Sequence, residues 1–140
     1  MTDTFTKSKR SQIMSRISSK HTLPEVQVRK VLYSLGCRYR LHDKKLLGKP
    51  DIVIRKHKSI IFVNGCFWHQ HKGCKRQSVP KSNLSYWRSK LKFNVEKQKK
   101  DIGELRMGGW KVFIIWECET KKSKKLFNKI KKIYEKTKNI

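Results

Sequence analysis

The chain has 140 residues, of which 36 are Lys or Arg and 10 are Asp or Glu, giving a formal net charge of +26. That length suits one domain able to bury its own core without a disulfide scaffold, and 14 aromatics (4 Trp, 4 Tyr, 6 Phe) argue against full disorder. No apolar run approaches the ~20 residues that span a bilayer and the start MTDTFTKSKR lacks an apolar secretory core, so no membrane partner and a cytoplasmic location are expected.

A single domain over residues 1–140 is expected, with a basic N-terminal arm over about 1–20 and a basic C-terminal helix over about 121–140. The pattern SQIMSRIS over residues 11–18 puts Ile13, Met14 and Ile17 on one side of a short amphipathic helix. A second helix starts at Thr22, with Pro24 in its first turn and Glu25 placed to complete a capping box, and stops at Gly36. Residues 51–55 and 59–63, rich in β-branched side chains, predict two strands joined through Lys56-His57-Lys58 as an antiparallel hairpin. A weaker strand is expected at 38–41 and a third strong one at 111–117. Leu84, Trp87, Leu91, Val95, Ile102 and Leu105 form a helical stripe over 83–107, ended by Gly108-Gly109, and a last amphipathic helix covers 124–138. This order gives an α/β domain with a mixed sheet.

The charge points to a polyanionic partner, most simply nucleic acid. Cys66, His69, His71 and Cys74 fall within nine residues, and Cys118 follows the last strand. Such clustering in a cytosolic chain favours metal over disulfides. Cys66, His71, Cys74 and Cys118 make the best tetrahedral set for a structural zinc ion, with His69 able to replace His71. Cys37 sits apart, as a core thiol does.

Asp51 enters a strand after Gly48-Lys49-Pro50, the opening half of a common metal-dependent nuclease core, although a turn-forming Asp reads the same way. The following strand, IIFVNGC, offers neither the acid nor the Lys that such cores carry there. A Mg2+ ion at Asp51 therefore needs a backbone carbonyl, for example that of Val63, and water. Glu25 is the other candidate acid, against its capping-box reading. His69 is placed to serve as a base, against its reading as a zinc ligand.

The motifs RSQIMSRISSKHTLPE, GKPDIVI, FVNGCFWHQHKGC, YWRSKLKFNVEKQKKD and GWKVFIIWEC occur in this order from about Arg10 to Glu117. Through them the chain resembles the bacterial very-short-patch repair endonucleases. The resemblance implies a restriction-endonuclease-like core with a structural zinc site. It implies Mg2+-dependent nicking of double-stranded DNA 5′ to the thymine of a T:G mismatch, the product of 5-methylcytosine deamination. It places catalytic roles on Asp51, Glu25 and His69, and zinc on Cys66, His71, Cys74 and Cys118. Family members often carry His where this chain has Asn64, which cannot carry a proton at neutral pH but can hydrogen-bond phosphate or water. Two residues separate His71 from Cys74, one more than in the better-known zinc loop. The resemblance makes Phe67, Trp68 and Trp87 wedges in the base stack, against a core reading that is strongest for Trp87. It makes Lys7, Lys9, Arg10 and Arg16 a DNA clamp. A monomer is expected, with a functional link to a cytosine-5 DNA methyltransferase. Two other readings compete: a zinc-stabilised nucleic-acid-binding module without catalysis, and a site-specific restriction nuclease on the same core.

Overall fold

The structure, a computed structural model, describes residues 22–75 and 79–138. The helix expected at 11–18 and the arm residues Lys7, Lys9, Arg10 and Arg16 lie outside them.

Helix α1 spans Leu23–Ser34. Thr22 caps it, its hydroxyl oxygen accepting from the Glu25 backbone N–H at 3.4 Å. At the other end Gly36 takes φ of +78°, and its N–H donates to the Tyr33 carbonyl while that of Cys37 donates to Leu32, both at 3.0 Å. This pair of bonds is a Schellman closure, which the left-handed glycine permits. Strands β1 (Arg40–Leu41), β2 (Ile52–Ile54) and β3 (Ser59–Asn64) follow, then helix α2 (Leu84–Met107), strand β4 (Lys111–Trp116) and helix α3 (Ser123–Lys138). The connection between β2 and β3 is a 3-10 turn, Arg55–His57, closed by Lys58 in the left-handed region. A second one, Glu117–Lys121, leads from β4 to α3.

The strands form one sheet in the order β1-β2-β3-β4. The first two pairings are antiparallel, whereas β3 and β4 run parallel with α2 as the crossover. The sheet is therefore mixed, as the element order predicts. Alternation along its strands divides the core. Ile52, Ile54, Ile61 and Ile115 meet α1 and α3 through Val28, Leu32, Leu126, Ile130 and Ile133. Val53, Ile60, Phe62 and Val112 meet Ile102 and Leu105 of α2 on the other face. Cys37 is buried with the first group, as its core reading requires.

The α2 stripe is only partly core. Leu91, Ile102 and Leu105 are buried, but Leu84 and Val95 are exposed, together with Tyr86 and Phe93. The first half of the helix meets the loop after β3, through Trp87 on Phe67 and Trp68 and through Asn94, whose side chain donates to the Trp68 carbonyl.

Candidate active site and metal centre

The chemistry collects at one end of the sheet, beyond the carboxyl ends of the parallel strands β3 and β4, where open α/β sheets bind ligands. Because β2 is antiparallel to β3, its leading residue Asp51 comes to the same end. Glu25 arrives from the first turn of α1. A cleft of about 770 Å³ joins them, lined also by Lys49, Val63, Asn64, Phe67, Trp68, His69 and Gln98.

Two turns aim Asp51. Gly48 (φ +76°) and Lys49 (φ +48°) are both left-handed, and Gly48 packs so tightly on Asp101 that a Cβ there would meet the Asp101 Cβ at 3.2 Å. The Asp51 carboxylate then accepts the Val63 N–H at 2.7 Å, which ties it to the end of β3. Burial, aided by the neighbouring Glu25 charge, outweighs the lowering by the Val63 N–H and His42 and pushes Asp51 up to about 6.

Glu25 departs from its capping-box reading. Thr22 supplies its half of the cap, but the Glu25 carboxylate is buried, with Oε1 2.5 Å from His42 Nε2. That approach lacks hydrogen-bond alignment, since Glu25 Oε1 makes no hydrogen bond. His42 is a site residue that the motif reading missed. It follows the two-residue β1, whose register sets Leu41 opposite Ile52, and its own N–H donates to the Asp51 carbonyl at 3.1 Å. The signal was present in the weak strand at 38–41, since pairing it with β2 puts the next residue beside Asp51.

Ligand atoms of Glu25, His42 and Asp51 lie within 4.8 Å of one another. A divalent cation fits this set: the buried Glu25 and the half-buried Asp51 put two carboxylates together, and Glu25 Oε1 makes no aligned hydrogen bond.

His69 and His71 are separated. Between them Gln70 takes φ of +48°, and its side chain donates back to the Phe67 carbonyl at 2.6 Å. This reversal leaves His69 in the cleft wall, with Nδ1 buried and without a hydrogen bond. Burial lowers the pKa of His69. His71 instead faces the cysteines, its ring stacked on Trp116 at 4.1 Å and 9°.

The ligand atoms of Cys66, His71, Cys74 and Cys118 all lie within 4.8 Å of one another. His71 Nδ1 is 3.7 Å from Cys66 Sγ and 3.5 Å from Cys118 Sγ. Zinc bonds of about 2.3 Å to sulfur and 2.0–2.1 Å to nitrogen put tetrahedral ligand atoms roughly 3.5–3.8 Å apart, so the set has the size that zinc needs. Burial first, and then the neighbouring Cys118 and Cys74 thiols, raise the Cys66 thiol, a cost that a bound cation reverses.

Asn64 is buried and exchanges two hydrogen bonds with Gln98 of α2, at 2.7 and 2.8 Å. It reaches the cleft lining as part of an amide pair. Phe67, Trp68 and Trp87 form a mutual aromatic cluster with centroids 5.2–5.9 Å apart. Trp87 therefore packs on the metal loop, outside both buried clusters of the core, and Trp68 remains 40% exposed beside the cleft.

The described residues form a mixed four-stranded sheet flanked by helices, with two acids brought together at the end of its parallel strands. The fold is similar to the catalytic domain of the homing endonuclease I-Bth0305I, with a TM-score of 0.56 and 23% identity over 84% of this chain and 98% of that one. The family model of the DNA mismatch endonuclease Vsr matches residues 2–76. The chain is 50% identical to the type II nicking enzyme V.NmeAIP of Neisseria meningitidis over 86% of both chains. It is 36% identical to the DNA mismatch endonuclease Vsr of Escherichia coli, over 90% of this chain and 80% of that one. The chain belongs to the Vsr family of DNA mismatch endonucleases.

Proposed function

We propose that the protein nicks one strand of duplex DNA 5′ to the thymine of a T:G mismatch, by Mg2+-dependent phosphodiester hydrolysis. One observation carries this reading: a single cleft brings the buried acids Asp51 and Glu25 together with His69 and the partly exposed aromatics of the metal loop. The relatives named as mismatch endonuclease and nicking enzymes support it.

In this reading Asp51 and the Val63 carbonyl hold the catalytic cation. Mg2+ supplies Lewis-acid stabilisation of the charge that develops on the scissile phosphate. Glu25 orients the attacking water, and His69 takes its proton as the water oxygen bonds to phosphorus and the leaving oxygen departs. Asn64 keeps one N–H and one lone pair beyond its bonds to Gln98, enough to position water or phosphate but not to move a proton. Phe67, Trp68 and Trp87 enter the stack beside the mismatch, where unstacking costs least. Zinc on Cys66, His71, Cys74 and Cys118 fixes the loop that carries two of these rings. Lys7, Lys9, Arg10 and Arg16 clamp the duplex. One site per chain suits a monomer, and the lesion chemistry links the protein to a cytosine-5 DNA methyltransferase.

The test is Asp51→Asn on a T:G duplex. Nicking falls by about a hundredfold or more while binding persists, because the side chain keeps its shape and loses its charge. Undiminished nicking by the variant contradicts the assignment.

A further inference from the structure

We infer that His42 is a nitrogen ligand of the cation held by Asp51 and Glu25, and that it shifts the site's preference from Mg2+ toward Mn2+. This rests on the proposed function in taking Asp51 as a metal ligand, and differs from it in giving Glu25 a direct bond to the cation in place of a water-orienting role. The backbone, not chance side-chain packing, delivers His42. Its N–H is bonded to the Asp51 carbonyl at 3.1 Å, and its φ of +49° turns the chain out of β1 at that point. β1 brings His42 and α1 brings Glu25 to the same place. Ligand atoms of the three side chains fall within 4.8 Å.

Glu25 and His42 face each other across the site, so that a carboxylate oxygen and an imidazole nitrogen stand side by side. Glu25 Oε1 and His42 Nε2 are 2.5 Å apart, yet Glu25 Oε1 has no aligned hydrogen bond. Glu25 is 2% exposed, so its carboxylate depends on partners within the site.

An all-oxygen site suits Mg2+, whereas imidazole raises affinity for first-row metals further along the Irving–Williams order. Two carboxylates and one imidazole form a set that accepts Mn2+ well and Mg2+ less so.

The test uses the full chain with its cysteine site filled with zinc, so that added Mn2+ reads only the cleft. Binding is followed by loss of the free Mn2+ resonance, Mg2+ by competition, and the ligand by electron spin echo modulation from imidazole nitrogen. The intact protein shows nitrogen modulation and binds Mn2+ more tightly than Mg2+. His42→Gln loses the modulation and about tenfold or more in Mn2+ affinity, with about threefold or less lost for Mg2+, because the amide offers oxygen instead. Persisting modulation or unchanged Mn2+ affinity in His42→Gln overturns the inference. His69→Gln reads the same question without touching β1: retained modulation supports His42, and its loss overturns the inference. Asp51→Asn separates the two levels. If that variant binds Mn2+ as the intact chain does, the catalytic-metal assignment fails; if only the His42 result fails, that assignment stands.

Discussion

Two carboxylates buried side by side are unstable neighbours unless a third charge joins them, and Asp51 with Glu25 is such a pair. Motif reading reached Asp51 through Gly48-Lys49-Pro50 and Glu25 only as an alternative to a cap. It did not reach His42, because the link runs through the pairing of a two-residue strand, which no local pattern specifies. The zinc set was legible because four of its candidates are clustered in sequence. The choice between His69 and His71 was not, since it turns on the left-handed backbone of Gln70. Cys118→Ser tests the set: zinc content falls well below one ion per chain and the melting temperature drops, because structural zinc is folding free energy. One retained zinc per chain contradicts it. Cys37 offers a pH test away from both centres. Burial raises it to about 11 from 9.0, so its contribution is complete below pH 9 and is lost as pH rises through about 11. The urea midpoint of the intact chain should therefore fall relative to that of Cys37→Val as pH rises from ~9 toward ~11. Parallel curves for the two proteins contradict a buried neutral thiol.

Among the elements, α2 shows what periodicity can and cannot tell. Its extent was legible almost to the residue, from the apolar spacing and the Gly108-Gly109 stop. Which part of the stripe meets the core was not, because that depends on how far the sheet extends beneath it. Two neighbouring substitutions measure the difference. Leu91 is 2% exposed and Phe93 is 62% exposed. Leu91→Ala should cost about 2–5 kcal/mol of stability, and Phe93→Gln should change it by less than about 0.5 kcal/mol. Equal losses in chemical unfolding contradict the placement of this helix. The Gly48 turn is the second element-level lever. Gly48→Ala must hold φ near +76° and push on Asp101, so a loss of about 1–3 kcal/mol is expected, with slower nicking as Asp51 shifts. Unchanged stability and rate contradict the view that this turn aims the acid.

For the whole molecule, charge was the plainest signal and the least specific. A net +26 predicts that duplex affinity falls by about a thousandfold or more between ~50 and ~200 mM salt, as phosphate contacts release counterions; a flat response contradicts it. The sheet's mixed topology follows from the order of helices and strands, and the placement of the acids follows from that topology. In the proposed reading, substrate choice rests on the aromatic cluster beside the cleft. The most direct measurement is therefore a strand-labelled nicking assay on a duplex bearing one T:G mismatch, with its T:A counterpart, each with Mg2+ and with chelator. Cleavage of only the thymine strand, only at the mismatch and only with the metal, is the predicted result. Intact mismatched duplex under conditions of tight, salt-sensitive binding would contradict the account and leave a binding module in its place.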